Sequence, residues 1–585
     1  MTMKYYIKKA GLILQIFLLF LITGCKFGDD KKAAVKIIFD TDISGDWSDV
    51  GAVAVLHSLA NSGEAEILAM GVSITGDVAK WGASCLGVFN TYYRRPDIPI
   101  GISAEGNKYD YIPYSRKLTE EFSNENDTIW DATELYRKIL SEQPDSSVVF
   151  VTVGLMTNIA KLLQSKPDEY SKLNGIELVR KKAIRWVCMA GRFPEGGYEY
   201  NVSTDVPSAK YAFDNWPCPI LFSGYKIGAR INTGTRLPYL SETNPVRRVF
   251  EIASCPGCAN NSFDQTAVLA AVRDPNLYWG IVPAGYSSMS SNPEVGIQWD
   301  ISQNRNHAYL VEKIPARFME DTIEDLMMDL SHSKKQAFFT IPLDNTIRCV
   351  KGENFGFRLP YYNYTKGEIT MKFENLPDWM SFSNDSIFGL TPEIAEDYNN
   401  IQAVLYNNNK ASDTVLFSIS ILENQTLITD IYAASGCSNS FKIKKMEIGD
   451  KIYVDRPFKL NSIEDTYLDY TWIVNPTNDG HRYDLGDQFI SFTASSNVNV
   501  LVGYHKKFLG VKPDWLNDWS DTNNEITDDA GDVFRLYKKT FPKGEIVLGN
   551  NATDFDTLRL MYLILVQETE QLSMLNNVDN KNKQD

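Results

Sequence analysis

Short apolar runs alternate with longer helix-forming segments along the first part of the chain. Residues 37–39 (IIF) form a partly β-branched run that is typical of a buried parallel strand. Residues 50–59 are rich in Ala, Val and Leu and predict a buried helix that ends near Gly63. Similar strand and helix patterns follow one another to about Met328. This alternation predicts a layered α/β domain.

Beyond about Ser333 the helical pattern gives way to short alternating strands separated by turns. The sequence therefore predicts an α/β domain over 35–332, with a mostly parallel sheet and helices on both faces. Segments such as 352–360 (GENFGFRLP) and 412–421 (SDTVLFSISI) resemble Ig-type, cadherin-like modules, which implies a β-sandwich over 333–424. The β-rich segments that follow resemble an accessory β-sandwich, which is expected over 425–570. The polar residues 571–585 predict a disordered tail.

The N-terminal segment has the pattern of an export signal. Lysines precede an apolar stretch at residues 12–22, which is too short for a confident membrane span. Residues 1–24 are thus expected to be a signal peptide and 25–34 a linker. Residues 21–25 (LITGC) resemble a bacterial lipobox, which implies lipidation at Cys25. The expected protein is an exported bacterial lipoprotein anchored at the outer membrane or cell surface.

Composition narrows the function classes. The chain has 585 residues, of which 44% are hydrophobic, enough for several full cores. Its formal charge of -16 argues against a nucleic-acid partner. Of 8 cysteines, Cys25 is assigned to lipidation, so at least one of the others is unpaired. Cys255 and Cys258 lack a second ligand pair for Zn²⁺, which leaves a local disulfide open.

Four carboxylates crowd the turn between the first strand and the first helix. They are Asp40, Asp42, Asp46 and Asp49. In an open α/β sheet this turn lies where ligands bind. Clustered like charges are costly to bury unless a cation compensates them, and Ca²⁺ prefers oxygen ligands.

Two simpler interpretations compete with a functional cation site. Acids at a helix N-terminus can merely cap backbone amides, which explains one carboxylate well and four poorly. A structural EF-hand loop is also open, but Gly51 stands where that loop needs an acid, and a strand stands where it needs a helix.

The acidic turn, DTDISGDWSDVGA at 40–52, resembles the N-terminal signature of the inosine-uridine type nucleoside hydrolases. The resemblance implies a nucleoside-hydrolase-like, Rossmann-like fold and one bound Ca²⁺. It also implies hydrolysis of ribonucleosides to ribose and base. Ser48 departs from the pattern, because it stands where the family usually has the first acid of a pair that grips the ribose hydroxyls. Asp46 is a candidate to replace that acid.

Three later segments carry the same resemblance. Residues 154–158 (GLMTN) resemble a turn in which the Thr157 carbonyl binds calcium. Residues 197–201 (GYEYN) resemble a sugar-binding segment, so Glu199 and Asn201 are expected to contact ribose from one face of an extended segment. Residues 263–267 (FDQTA) resemble a helix start in which Asp264 binds calcium. Phe263 replaces the His that often protonates the leaving group.

The resemblance implies a specific division of roles. Asp42, Asp49, Asp264 and the Thr157 carbonyl would hold Ca²⁺, with Asp40 bracing the cluster. Asp42 would also act as the base for the attacking water. Asp77 follows the second strand and is expected either to contact ribose or to lie in a solvated loop.

Two other function classes stay open at this stage. One is a noncatalytic surface lipoprotein that binds a glycan or a nucleoside, as the departures at Ser48 and Phe263 would allow. The other is hydrolysis of a different ribosyl or glycan bond, since 425–570 resembles accessory modules of glycan-acting enzymes. Trp515 and Trp519 either stack on a glycan or pack in the core. A homo-oligomer is also compatible with the sequence.

Overall fold

The computed structural model describes residues 33–106, 114–126, 128–423, 426–434, 438–477, 488–551 and 560–569. The predicted signal peptide, Cys25, Cys437, most of the linker and the predicted tail lie outside the described residues. No helix in these ranges is both long and apolar enough to cross a membrane.

Twelve strands precede the all-β part of the chain. They are β1 (Val35–Thr41), β2 (Ala65–Val72), β3 (Ile100–Ile102), β4 (Ile129–Asp131), β5 (Val148–Thr152), β6 (Ala183–Met189), β7 (Ile220–Ser223), β8 (Asn232–Thr233), β9 (Asn260–Asn261), β10 (Trp279–Met289), β11 (Ile297–Asp300) and β12 (His307–Glu312). All except β8 and β9, which form a separate ribbon, belong to one 10-stranded sheet with the order β11-β10-β12-β7-β6-β5-β1-β2-β3-β4.

Parallel pairing dominates this sheet. Neighbouring strands among β1 to β7 are parallel, and β12 is parallel to β7, whereas β10 is antiparallel to both β12 and β11. The chain builds outward from β1 through β4, then returns to the other side of β1 with β5 and builds outward again. The order thus reverses between β1 and β5. A ligand crevice is expected at the carboxyl ends of these two strands.

Helices cover both faces of the sheet. They are α1 (Ser48–Asn61), α2 (Asp77–Tyr92), α3 (Tyr114–Glu121), α4 (Ala132–Glu142), α5 (Thr157–Gln164), α6 (Gly175–Lys182), α7 (Tyr200–Ser203), α8 (Val206–Asn215), α9 (Tyr225–Gly228), α10 (Pro245–Ala253), α11 (Phe263–Val272) and α12 (Ala316–Met327). One core contains residues of α1, α2, α11 and α12, and a second contains residues of α4, α5, α6 and α8.

Strand β1 is central because both its faces are apolar. Ile37, Ile38 and Phe39 are completely buried, with Ile38 in one core and its two neighbours in the other. Such a strand is stable only between two covered faces. The polar residues that follow are therefore delivered to the middle of the sheet edge.

In the remaining sheets, most neighbouring strands are antiparallel. Their strands are β13 (Ala337–Phe339), β14 (Thr346–Val350), β15 (Asn354–Arg358), β16 (Tyr361–Asn363), β17 (Ile369–Glu374), β18 (Met380–Ser383), β19 (Ser386–Leu390), β20 (Asp397–Asn407), β21 (Lys410–Leu422), β22 (Ile428–Ala433), β23 (Lys442–Lys445), β24 (Leu460–Ser462), β25 (Thr471–Val474), β26 (Ile490–Ala494), β27 (Val498–His505), β28 (Ser520–Asp528), β29 (Val533–Phe541), β30 (Gly544–Leu548) and β31 (Leu563–Glu568).

Two sandwiches result. The first packs the sheet β14-β21-β20-β17 and the sheet β15-β19-β18 around one core. The second packs the sheet β22-β26-β30 and the sheet β23-β25-β31-β27-β29-β28-β24 around another. The predicted fold class, a mostly parallel α/β domain followed by two all-β sandwiches, is confirmed.

Trp515 and Trp519 are used for packing in the second sandwich. Their rings meet edge to face with centroids 5.7 Å apart, and Trp515 also contacts Tyr562. Trp519 is 7% exposed, and the indole N–H of Trp515 donates to the Asn550 carbonyl at 2.8 Å. The structure therefore gives no support to a glycan platform built from these two rings.

A buried histidine in α1 generates a prediction about acid stability. The His57 ring is fully buried, stacks on Tyr93 with centroids 4.5 Å apart, and places Nε2 3.1 Å from Asn90 Oδ1. Its Nδ1 has no hydrogen-bond partner among the described residues. Burial, assisted by the positive charge of Arg95, lowers the pKa of His57 from 6.5 to about 3.

Because the folded pKa lies below the unfolded one, only the unfolded chain takes up this proton as the pH falls below 6.5. Wild type should therefore lose about 2 kcal/mol of unfolding free energy between about pH 7 and pH 5, relative to His57→Phe. Urea unfolding at both pH values measures the difference. His332→Phe, at the surface, is the control. Equal pH dependence of wild type and His57→Phe would contradict the assignment.

Candidate active site at the switch point of the sheet

A cavity of about 490 Å³ opens where β1, β5 and β6 end. It is lined by Asp42, Gly45, Asp46, Ser48, Asp49, Val153, Met189, Arg192, Tyr198, Glu199, Tyr200, Asn201, Tyr225, Phe263 and Asp264. Carboxylates from three separate parts of the chain meet here, and Arg192 is the one cation in the lining.

Three buried carboxylates form one wall of the cavity. Asp42 follows β1, Asp49 lies in the first turn of α1, and Asp264 lies in the first turn of α11. Their residues are only 7%, 1% and 4% exposed, respectively. The two helix N-termini favour negative charge at Asp49 and Asp264, although they do not cancel the cost of burial.

Electrostatics confirms that these acids are crowded. Burial, then the nearby charges of Asp42 and Asp264, raise the pKa of Asp49 well above 3.8. Burial, followed by the charges of Asp46, Asp42 and Glu199, likewise raises the pKa of Asp264 well above 3.8. An additional positive charge between them would lower both pKa values.

Two hydroxyl groups donate hydrogen bonds to carboxylates of the acidic wall. The Thr41 hydroxyl donates to Asp49 Oδ1, and the Ser48 hydroxyl donates to Asp264 Oδ2. Ser48 therefore contributes a neutral donor to the acidic wall. It links the acidic turn to α11, which is distant in sequence.

Asp46 lines the cavity from the tip of the acidic turn. Its Oδ1 accepts hydrogen bonds from Asn260 Nδ2 at 2.6 Å and from the Ser48 amide at 2.8 Å. The turn includes Ser44 at φ 128°, a conformation that costs energy for a residue with a side chain. Tyr114 holds this turn, because its hydroxyl lies 3.2 Å from the Ser44 amide and donates to the Asp46 carbonyl at 3.0 Å.

Asp40 lies beneath the cavity and does not line it. Its Oδ2 accepts from the Tyr136 hydroxyl and, at 2.8 Å, from Asn158 Nδ2, while Oδ1 has no partner among the described residues. Burial raises its pKa to about 7. Gly71 leaves room for this pair, since a Cβ there would lie 2.7 Å from Asp40 Oδ2. Asp40 is placed to brace the end of β1.

Glu199 and Asn201 also line the cavity, and they lie at the start of a short helix. Tyr200 begins α7, so the extended segment predicted through Asn201 is wrong after Glu199. Glu199 accepts from the amides of Gly191 at 2.9 Å and Asn201 at 3.0 Å, and burial raises its pKa to about 6. Asn201 Nδ2 donates to the carbonyl of Val153 at 3.1 Å.

An arginine and two aromatic rings line the same cavity as the acids. The guanidinium of Arg192 lies 4.0 Å from the centroid of the Tyr225 ring, and Tyr225 stacks on Phe263 with centroids 5.1 Å apart. Arg192 Nε is buried without a hydrogen-bond partner among the described residues. Burial raises the pKa of Tyr225 to about 12, against the opposing effect of Arg192.

Two predicted site residues are placed elsewhere. Thr157 begins α5 outside the cavity lining, and its hydroxyl donates to Asp205 at 2.7 Å. Asp77 is exposed at the start of α2, where it pairs with Lys80. Val153, which follows β5, does line the cavity. Gly154 lets the chain pass close to the acidic turn here, because a Cβ there would lie 2.3 Å from the Asp42 amide nitrogen.

Four residues contribute to this site without having been predicted from the sequence, namely Val153, Arg192, Tyr225 and Asn260. Arg192 carried a usable signal, since it is the only basic residue of the glycine-rich loop 190–201. Asn260 follows the Cys255–Cys258 pair, which forms a disulfide. Cys85, Cys188, Cys218 and Cys349 are free thiols.

The donor set of the acidic wall suits a hard cation. In the described part of the chain, no three His, Cys, Asp or Glu side chains already form a metal-binding group. The oxygen-only chemistry of Asp42, Asp49 and Asp264, and the raised pKa values of the latter two, nevertheless fit Ca²⁺ better than a transition metal.

No protein-family model and no curated protein matches this chain. Among solved structures, a plant nucleoside hydrolase is 17% identical, with a TM-score of 0.39, over 50% of this chain and 99% of that chain. A purine-preferring ribonucleoside hydrolase from Gardnerella vaginalis is 17% identical, with a TM-score of 0.39, over 50% and 98%. An inosine-guanosine nucleoside hydrolase is 20% identical, with a TM-score of 0.39, over 50% and 98%. Half of this chain is thus similar to these structures, and the assignment of an activity depends on its own cavity.

Proposed function

We propose that this protein hydrolyses the N-glycosidic bond of ribonucleosides to ribose and free base, with Ca²⁺ as cofactor. The observation that carries the proposal is the mixed lining of one cavity. Three buried carboxylates, an arginine and two aromatic rings line the same space of about 490 Å³. That volume is within the range of small-molecule sites. The carboxylates suit a sugar that develops positive charge, and the arginine and the aromatic rings suit a planar leaving group.

Asp42, Asp49 and Asp264 would hold Ca²⁺, with the Val153 carbonyl as a backbone ligand. Bound there, the cation would orient the ribose diol and polarise a water molecule. The carboxylates would at the same time be relieved of their mutual repulsion. Asp40 would keep the end of β1 in place from below.

Asp42 is the proposed general base. It would accept a proton from the attacking water as the new C1′–O bond forms. Glu199 and Asn201 would position the sugar hydroxyls from the end of β6. The negative wall would stabilise the oxocarbenium character of C1′ as the C1′–N bond breaks.

The electrons of the breaking bond move to the nitrogenous base, so that side of the cavity must stabilise negative charge or supply a proton. The Arg192 guanidinium is the available charge, and its buried Nε has a hydrogen to donate. Tyr225, with its raised pKa, retains a proton at neutral pH and is the proposed donor to the leaving nitrogen. Phe263 would hold Tyr225 by stacking.

The noncatalytic binder remains the second candidate. It is favoured by Ser48, which is neutral, and by Phe263, which cannot transfer a proton. An exported lipoprotein could perform either function at the cell surface, and this location is part of the proposal. Catalysis and binding differ in whether ribose is released.

The first test is ribose release from inosine, adenosine, uridine and cytidine by the purified protein. We expect release that requires Ca²⁺, is abolished by a chelator and falls at least ~100-fold in Asp42→Asn, because the proposed base is removed. Calcium binding without release from any nucleoside would contradict hydrolysis and support the binder.

The crowded acids predict a stability effect that does not depend on turnover. In chelator, Asp264→Asn should raise the melting temperature by ~2–4 °C, because it removes one buried charge yet keeps an acceptor for Ser48. In Ca²⁺, wild type should be stabilised and Asp264→Asn should not. Differential scanning fluorimetry measures both effects, with the exposed Asp97→Asn as the matched control. A calcium shift that survives in Asp264→Asn would exclude this residue as a ligand.

The leaving-group wall is tested by comparing substrates. Arg192→Gln should lower kcat on inosine about 100-fold, because stabilisation of the departing base is lost. The same variant should hydrolyse 4-nitrophenyl riboside nearly as fast as wild type, since nitrophenolate leaves without a proton. Tyr225→Phe should show the same selectivity. An equal loss on both substrates would place Arg192 in sugar binding instead.

A further inference from the structure

The second β-sandwich contacts the candidate active site at two points. The Arg456 guanidinium lies 5.5 Å from the centroid of the Trp47 ring. The buried Ser440 hydroxyl donates to the Gly257 carbonyl at 2.9 Å. Trp47 and Gly257 both belong to the α/β domain, and each lies in a segment that supplies residues to the cavity.

Trp47 lies inside the acidic turn. It separates Asp46 from Ser48, both of which line the cavity, and it occupies the cap position before α1. The cap makes no side-chain hydrogen bond, and the turn contains the strained Ser44. A turn of this kind keeps its geometry only when surrounding contacts hold it. Arg456 provides such a contact from outside the domain.

Gly257 lies at the start of a strap, residues 255–264, that enters the cavity from the other side. The Cys255–Cys258 disulfide closes the first turn of the strap. Asn260 then donates to Asp46 at 2.6 Å, and the strap ends at Phe263 and Asp264 in the cavity lining. A displacement of Gly257 would therefore move Asn260, which contacts Asp46, and also Asp264.

A neighbouring contact also joins the second sandwich to the α/β domain. Asn439 Nδ2 donates to the Tyr239 hydroxyl at 2.7 Å, and that hydroxyl donates to the Ile341 carbonyl at 3.1 Å. Asn439 and Ser440 belong to one short 3₁₀ helix, Ser438–Ser440, so they reach the α/β domain together.

We propose that the second sandwich is a structural part of the active site, and that Arg456 and Ser440 are its positioning residues. Arg456 acts on the acidic turn through Trp47, and Ser440 acts on Asn260 and Asp264 through the strap. The sandwich thus fixes the spacing between the turn and α11. The inference rests on the proposed function only for its consequence for calcium binding and turnover.

Hydrogen–deuterium exchange of the full chain, followed by mass spectrometry, tests the proposal without any activity. Arg456→Ala should raise exchange in peptides covering residues 43–50 by roughly 3- to 10-fold, because a cation–π contact is lost. Ser440→Ala should raise exchange in residues 255–264. Arg456→Lys, which keeps the charge over the ring, should restore most of the protection at 43–50. Arg535→Ala, on the same sandwich and bound to Asp521 and Glu525, is the matched control and should change neither segment.

A double-mutant cycle separates a direct contact from general loosening of the sandwich. Trp47→Ala and Arg456→Ala should together weaken protection of the turn less than the sum of their separate effects. Strictly additive effects, or unchanged exchange at 43–50 and 255–264 in the single variants, would overturn the proposal.

Calcium titration of the same variants connects the contacts to the cavity. Arg456→Ala and Ser440→Ala should each weaken calcium binding several-fold, while Arg535→Ala should not. If wild type binds no calcium but the exchange changes occur, the positioning role holds and the proposed function fails. If calcium binds and the exchange is unaffected, the proposed function survives and the positioning role fails.

Discussion

Mutual repulsion among buried carboxylates is the constraint on which the rest of this structure depends. The fold brings Asp42, Asp49 and Asp264 to one cavity at the point where the strand order reverses. Gathering these charges out of water costs free energy, and the raised pKa values of Asp49 and Asp264 are the direct sign of that cost. The surroundings offset part of it with two helix N-termini and the hydroxyl groups of Thr41 and Ser48. A ligand that carries positive charge would offset the remainder.

Much of this arrangement follows from local sequence. The apolar run of β1, the acids after it and the apolar helix α1 are contiguous, so strand and helix rules place Asp42 and Asp49 correctly at the sheet edge. The resemblance of residues 263–267 to a nucleoside hydrolase segment predicted Asp264 as a site residue, and Asp264 lines the same cavity. The mostly parallel sheet was predictable because alternation of strands and helices admits few other topologies.

What sequence could not supply was contact between distant segments. That Val153 lines the cavity and Thr157 does not depends on how closely Gly154 packs against Asp42, a contact that the sequence does not encode locally. Asn260 and Asp46 are more than two hundred positions apart, and their hydrogen bond follows from a disulfide-closed strap. Glu199 was placed correctly in the cavity, but the helix that begins after it was not anticipated, because its cap is a carboxylate that also binds the Gly191 amide. The sequence likewise predicted an accessory second sandwich and gave no sign of its contacts with the α/β domain.

Under the proposed function, neighbouring residues compensate for Ser48 and Phe263. Ser48 is neutral, so it adds no charge to the crowded acids, and its hydroxyl donates a hydrogen bond to Asp264. Asp46 lines the cavity, and a hydrogen bond from Asn260 fixes its orientation. Phe263 removes a proton donor from the strap, yet its ring supports Tyr225, which in turn lies under Arg192. Under the proposed function, the task of stabilising the leaving group is thereby moved from the strap to the glycine-rich loop after β6. Under that proposal, the Arg192 Nε, which is buried without a hydrogen-bond partner among the described residues, and the proton-bearing Tyr225 phenol share the cavity with the acids. Such a pair can both stabilise and protonate a departing base.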